Sequence, residues 1–413
     1  MKQLLLAIPF LMVPLLSAQQ PGSSPANDHE LIQQLLRRVN ELEAEVQRLK
    51  QSAPGASQPA AAAAGQQLPA PVLPPASDAQ QMLQNMQPTG LPAMHFQGFS
   101  DIQYHASDQK LDHNAFSLGQ FNLFITNRLS DKFSILAEAV VEADPQNAFG
   151  IELERLLFQY SANDYFNLSA GRYHTAIGFY NTAYHHATWL QTTVDRPFLF
   201  AFEDKGGILP IHNVGLTVGG RIPSGRLGLH YSAELGNGRT SRSLLDEPVQ
   251  NVQDENNRKA YNLAVFARPD GVRGLQAGLS MYRDRLYPDG LPKIGQTIVA
   301  AHAIYQPSGF EFMNEAMVIR HAVIGSNQVF NIPAFYSQIS KQFGKVRPYF
   351  RYEYVNVPRS EPLFRDVGLR HGPIAGLRYD FSEFAAFKME YNRIMVRDPA
   401  AINAVRTQVS FTF

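Results

Sequence analysis

From residue 94 to its end the chain alternates apolar and polar side chains one by one, in runs punctuated by Gly, Pro, Asn, Asp and Ser. A period of two marks a strand whose faces meet different surroundings. Strands are predicted to start near Met94, Ala115, Phe133, Phe149, Tyr165, Ile211, Arg226, Lys259, Leu275, Gly295, Phe310, Phe330, Lys345, Gly372, Ala385 and Asn403. In the ninth, Leu275, Ala277, Leu279 and Met281 oppose Gln276, Gly278, Ser280 and Tyr282. In the thirteenth, Pro348, Phe350, Tyr352 and Tyr354 oppose Arg347, Tyr349, Arg351 and Glu353. In the fifteenth, Phe387, Met389 and Tyr391 oppose Lys388, Glu390 and Asn392. The fourth and twelfth alternate less cleanly. The last run puts Val405, Thr407, Val409, Phe411 and Phe413 on one face and Arg406, Gln408 and Ser410 on the other. Such a strand leaves a raw sheet edge unless it pairs, and pairing with the first strand closes the sheet.

The connections sharpen this picture. Every second one is short and built of turn residues, as in Leu129-Ser130-Asp131, Pro223-Ser224-Gly225, Pro269-Asp270-Gly271 and Phe343-Gly344. The intervening ones run longer and more polar, notably Thr175 to Pro210, Thr240 to Arg258, Arg285 to Ile294 and Pro358 to His371. A membrane barrel keeps this parity, with tight turns on its periplasmic rim and longer loops outside. A soluble β-sandwich has no reason to. Residues 94–413 are therefore predicted to form an all-β, sixteen-stranded antiparallel transmembrane barrel, whose even strand count returns both ends to the periplasmic rim.

The segments before the barrel differ. Residues 1–18 read as a secretory signal peptide, with Lys2, an apolar run from Leu4 to Leu16 broken by Pro9 and Pro14, and Leu16-Ser17-Ala18 as cleavage site. Residues 28–51 carry heptads, with Ile32, Val39 and Val46 at a and Leu35, Leu42 and Leu49 at d, behind an Asn27/Glu30 capping box. In parallel pairing Arg38 meets Glu43 and Glu45 meets Lys50, which favours a short periplasmic coiled coil. A lone amphipathic helix is the alternative. Branched residues at a with Leu at d lean toward two strands. Residues 52–93, rich in Ala, Pro, Gln and Gly, bury too little to order themselves and are predicted to be a disordered linker.

Composition adds limits. Thirty-six basic and thirty-six acidic residues balance, so no field points to nucleic acid. With no cysteine there are no disulfides, thiolate sites or cysteine-linked lipid. The 27 Phe and 17 Tyr suit strands and interfacial girdles. No apolar run reaches the roughly 18 residues of a spanning helix. Parity points Glu138, Glu142, Glu234, Arg347, Arg351, Glu353, Arg378, Asp380, Lys388, Glu390 and Arg406 into the lumen. Both signs occur there, which makes a transverse field rather than an anion ladder.

Candidate chemistry gathers in the longest connection. Tyr180, Tyr184, His185, His186 and Trp189, the sole Trp, form an aromatic and imidazole-rich run, with Arg196 and Lys205 further on and His174 just before. Functionally these would line a constriction; otherwise they pack the loop on the wall. Arg172 shares the parity of outward Phe166, Leu168 and Ala170, so it joins the lumen only if the strand bulges or ends near Gly171. His174, His185, His186 and His212 lack a carboxylate set and helix spacing, so no metal site is expected. No nucleophile–base pattern supports catalysis, and no cofactor is implied.

Together the signal, coiled coil, spacer and barrel resemble bacterial outer-membrane porins, more specifically the phosphate-selective porin-like (porin O/P-like) group. The ending Val409-Ser410-Phe411-Thr412-Phe413 looks like the insertion signal of that class. Asn167 to Thr175 (NLSAGRYHT) is similar to a Gly-Arg-aromatic-basic-Thr stretch at the end of the group's fifth strand. The resemblance implies a trimer, contact with outer-membrane lipid and lipopolysaccharide, and a third external loop folded into the lumen, here Thr175 to Pro210. The mixed wall departs from the basic runs of phosphate-selective members. The expectation is a porin passing small hydrophilic solutes. The alternative is a structural anchor, tethered to peptidoglycan or a periplasmic partner through the coiled coil.

Overall fold

In the computed structural model the alternating runs become sixteen antiparallel strands: β1 (Met94–Ser107), β2 (Ala115–Arg128), β3 (Phe133–Ala143), β4 (Phe149–Asn163), β5 (Phe166–His174), β6 (His212–Ile222), β7 (Leu229–Gly236) and β8 (Ala260–Ala267), followed by β9 (Leu275–Leu286), β10 (Ile294–Tyr305), β11 (Phe310–Val323), β12 (Val329–Lys341), β13 (Val346–Asn356), β14 (Leu369–Asp380), β15 (Ala385–Val396) and β16 (Ile402–Thr412). The structure describes residues 94–110, 112–143, 148–184, 188–203, 205–239, 254–397 and 401–413. The predicted signal peptide, coiled coil and linker lie outside them. Predicted and observed strand starts agree within three residues, the largest shifts being Arg226 to Leu229 and Gly372 to Leu369.

Each strand pairs with its sequence neighbours, and β1 pairs with β16, so the sheet closes on itself. The seam runs from Phe99 opposite Thr412 to Ser107 opposite Ala404. It is fastened at one rim by Gly98 N–H to the Phe413 carbonyl (2.8 Å) and Phe413 N–H to the Gly98 carbonyl (3.0 Å). Closure leaves no free edge.

The connections on that rim are tight: 129–132, 164–165, 223–228, 268–274, 306–309, 342–345 and 381–384. Gly309 (φ 71°) and Gly344 (φ 59°) supply left-handed backbone where the turns need it. On the other rim 175–211, 237–259 and 357–368 are long, whereas 144–148, 324–328 and 397–401 are no longer than turns. The parity is a tendency rather than a rule.

Facing follows the alternation. Leu279, Met281, Phe350, Met389 and Tyr391 are exposed on the outer wall, and Ser280, Tyr282, Tyr349, Arg351, Lys388 and Glu390 are buried inside. The fourth strand's blurred pattern has a cause. A register shift between Glu138 and Ala139 of β3 inserts an extra β4 residue, so Glu154 and Arg155 both stand opposite Glu138.

Candidate functional site

The segment 175–211 leaves β5 and returns to β6 through a closed neck. Thr175 donates its N–H to the Ile211 carbonyl (3.0 Å) and its hydroxyl to the Pro210 carbonyl (2.5 Å). Asn181 Nδ2 reinforces it, donating to the carbonyls of Thr175 (2.9 Å) and Ile211 (3.0 Å). Just before the neck, alternation fails at Gly171, whose φ of 134° few side chains tolerate. Arg172, Tyr173 and His174 are then buried in succession.

Arg172 Nε donates to the Glu154 carbonyl at 2.9 Å, and its guanidinium lies 3.7 Å from the Glu154 carboxylate. That carboxylate, turned inward by the bulge, lies 2.7 Å from His212 Nε2. The other ring nitrogen of His212 is 3.3 Å from Glu203, which also accepts the N–H groups of Ile211 (2.7 Å) and His212 (3.1 Å). Burial pushes the Glu203 carboxyl up, but attraction and hydrogen bonding to His212, with help from Arg239, outweigh it and hold the pKa at about 2.

Beyond the neck the inner wall grips the segment by its backbone. Acidic side chains take N–H groups: Glu234 from Ala176 (2.8 Å), Glu315 from Phe179 (2.6 Å) and Tyr180 (2.9 Å), Glu390 from Val194 (3.1 Å) and Glu353 from Phe198 (3.3 Å). Basic side chains donate to backbone carbonyls: Lys388 to those of Thr188 (2.5 Å) and Thr193 (3.1 Å), Arg378 to those of Trp189 (2.8 Å) and Gln191 (2.9 Å), and Arg351 to that of Asp195 (2.9 Å). A non-regular backbone taken out of water needs a partner for every peptide group. Here charges of both signs meet that need, each matched to the group it can satisfy. Since these partners come from β7, β11, β13, β14 and β15, the segment crosses the interior of the barrel.

Its other face is apolar. Ile177, Phe179, Leu199, Phe200, Ile208, Leu209 and Ile211 pack on inward Ile294, Ile298, Ile304, Met313, Met317, Ile319 and Ile332. Tyr180, opening the single helical turn α1 (Tyr180–Ala183), stacks on Phe200 at 5.5 Å and meets Tyr336 edge-on at 6.1 Å. Each such side chain contributes about 1.5–3 kcal/mol when fully buried. The inner wall at β10–β12 is thus a hydrophobic seat inside the barrel, beside the inward charges that alternation predicts. The connection 357–368 joins the same core through Val357, Leu363 and Phe364. It is pinned by Glu361, which lies 2.7 Å from His321 Nδ1 and accepts the N–H groups of Leu363 and Phe364.

Arg172 and His174 are buried at the neck, with the His174 and His212 rings 5.4 Å apart. Tyr180 is buried, its hydroxyl donating to Gln191 Oε1 at 2.9 Å. Tyr184 is half-buried, its hydroxyl held by Gln306 Nε2. Trp189 lies under the Arg378 guanidinium at 4.8 Å, and Arg196 sits over the Phe202 ring at 3.8 Å. Lys205 is exposed and reaches Glu142 at 2.9 Å. His185 and His186 lie outside the described residues.

Of the inward charges, Glu138 is buried against Arg155 (2.6 Å) and Asn122 (2.5 Å), Arg347 reaches Gln342 at 2.8 Å, Arg378 also pairs with Asp380 at 2.8 Å, and Arg406 pairs with Asp195. Arg351, Lys388, Glu353 and Glu234, expected to point into the lumen, are buried under the crossing segment, and so is Gln408, which is 1% exposed. Partly exposed inward polar residues remain on β1–β4 and β16, including Gln103, Gln120, Glu142, Arg155 and Arg406.

Sequence reasoning missed Glu311, Glu315, Glu203 with His212, and Glu361 with His321. Glu311, Met313 and Glu315 do stand at one parity, and that spacing was the available signal. Among the described residues no group of three or more His, Cys, Asp or Glu is arranged to hold a metal ion.

No protein-family model and no curated protein matches this sequence. Solved structures do share its fold. OmpT folded in vitro, an outer membrane protein of Vibrio cholerae, aligns at TM-score 0.54 and 11% identity over 80% of this chain and 100% of its own. Salmonella typhi OmpF, in complex with daunomycin, aligns at TM-score 0.53 and 12% identity over 78% and 97%. The outer membrane channel DcaP of Acinetobacter baumannii aligns at TM-score 0.53 and 11% identity over 79% and 99%. The chain has the sixteen-stranded barrel fold of outer-membrane porins and channels.

Proposed function

We propose that this chain is an outer-membrane porin that passes small hydrophilic solutes down their gradients through a channel narrowed by 175–211. The observation that carries the reading is the crossing segment, clamped by its backbone to four acidic and three basic inward side chains. A loop fixed so fully narrows the route and leaves the water path to the opposite wall, where Gln103, Gln120, Glu142, Arg155, Lys205 and Arg406 bound it. A path edged by both signs separates solutes by size and polarity more than by net charge. Phosphate selectivity is accordingly not part of the proposal. The same fold serves as an outer membrane channel in DcaP. Assembly as a homotrimer, in line with the trimer form of Vibrio cholerae OmpT, belongs to the same proposal.

Planar-bilayer recording of the purified chain tests it. Discrete ion-conducting steps are expected, and a protein that inserts without conducting sinks the channel reading. Reversal potentials in a salt gradient then measure the preference between anions and cations.

A further inference from the structure

The outer wall of β8–β12 changes character within one row of side chains. Cross-strand register places Val265, Leu279, Ala301, Ala316 and Phe335 side by side, and above them Leu263, Met281, Val299, Val318 and Pro333. Both rows are apolar throughout. The next row toward the long-connection rim is Tyr261, Arg283, Thr297, Arg320 and Asn331, in which every side chain carries a group capable of hydrogen bonding. Arg285 stands one step higher on the face of Arg283.

Charge is rare on this surface. Among the described strand residues, alternation turns outward only these three arginines, Arg393 near the same rim and Lys341 near the other. Arg393 has Asp108 close enough to influence it, and Lys341 lies over the Phe343 ring at 5.6 Å. Arg283, Arg285 and Arg320 are exposed and make no ion pair among the described residues. The nearby carboxylates are turned elsewhere: Asp284 is buried inside, Asp254 pairs with Lys259, and Glu255 accepts the Tyr287 N–H at 2.8 Å. Strands stand about 4.8 Å apart, so Arg283 and Arg320 are about 10 Å apart with Thr297 between them. Guanidinium groups present paired N–H donors that match phosphate oxygens.

We propose that this row is a binding site for the phosphate-bearing headgroup of an anionic membrane lipid, whose acyl chains lie on the two apolar rows. The inference rests on the reading that the barrel is embedded in a membrane. An unpaired cation at the edge of hydrocarbon is stabilised by an anionic headgroup, and the two apolar rows favour a lipid over free phosphate.

The full chain, reconstituted in phosphatidylcholine vesicles doped with diphosphoryl lipid A and extracted gently, tests this by native mass spectrometry. The wild type is expected to retain lipid A over phosphatidylcholine, and the double variant R283Q/R320Q to retain about tenfold less. R393Q is expected to behave as wild type, and excess inorganic phosphate to leave the lipid in place. Equal retention by the double variant, no preference for lipid A, or displacement by inorganic phosphate alone overturns the proposal. Conductance in pure phosphatidylcholine separates the two readings. A chain that conducts there without preferring lipid A refutes only the lipid site, whereas one that inserts without conducting refutes the channel.

Discussion

Glu315 of β11 accepts a hydrogen bond of 2.6 Å from the backbone N–H of Phe179, 136 residues away in sequence. Its other oxygen takes the N–H of Tyr180 at 2.9 Å and the Tyr336 hydroxyl at 2.7 Å. One carboxylate thus joins the far wall to the start of the crossing segment. Replacing it by alanine orphans two buried N–H groups, at roughly 1–3 kcal/mol each. The Glu315→Ala variant is expected to assemble and conduct with larger, noisier single-channel steps, as the segment loosens. Steps of wild-type size and noise would show that the segment does not limit the current.

Lys388 and Lys205 separate two roles that charge plays here. Lys388 is fully buried and feeds the Thr188 and Thr193 carbonyls, whereas Lys205 is exposed beside Glu142. Lys388→Met is expected to lower unfolding stability by roughly 1–3 kcal/mol for each orphaned carbonyl. Lys205→Ala is expected to leave stability within about 0.5 kcal/mol of wild type and shift the reversal potential toward cations. Denaturant unfolding and bilayer recording on both variants check the contrast.

Gly171 governs the neck. A side chain there meets positive φ and collides with the Leu156 carbonyl oxygen. Gly171→Ala is expected to disturb the burial of Arg172, Tyr173 and His174 and to cut the yield of folded, heat-modifiable barrel, at about 1–3 kcal/mol of strain or more. Gly206, whose Cβ would meet open space, serves as the control despite its own positive φ of 83°. Gly206→Ala is expected to fold in near-normal yield.

Acid should act on the neck in a defined window. The Glu203 carboxyl is lowered from an ordinary 4.5 to about 2, so its contribution is complete above pH 4.5 and is lost as pH falls toward and through 2. Single-channel noise is expected to be independent of Glu203 ionisation from neutral pH to about 4.5 and to rise below that. Glu203→Gln, which cannot ionise, is expected to be noisier at neutral pH and to lose this dependence. A wild-type transition near neutrality would assign the control to another group.

The sequence by itself determined the barrel. Alternation separates inside from outside strand by strand, turn residues mark where the chain reverses, and an even number of strands brings Phe413 back to Gly98 for closure. All of these are local signals, each carried by residues close together in the chain. It also pointed Glu234, Arg351, Lys388 and Glu390 inward, and in the structure all four are buried.

Only the tertiary structure decided what those side chains meet. Lys388 was expected to point into the lumen, and there it donates to a carbonyl 200 residues away. Ile298 and Met313 share the inward face with Glu311 and Glu315, yet they seat a hydrophobic core because 175–211 lies over them. Arg172 kept its outward parity in sequence and lost it to the break at Gly171 and the bulge that brings Glu154 inward. Period two states which side of the sheet a residue occupies, but not what fills the space on that side. That depends on the path of one long segment through the interior, which backbone hydrogen bonding to distant charges sets.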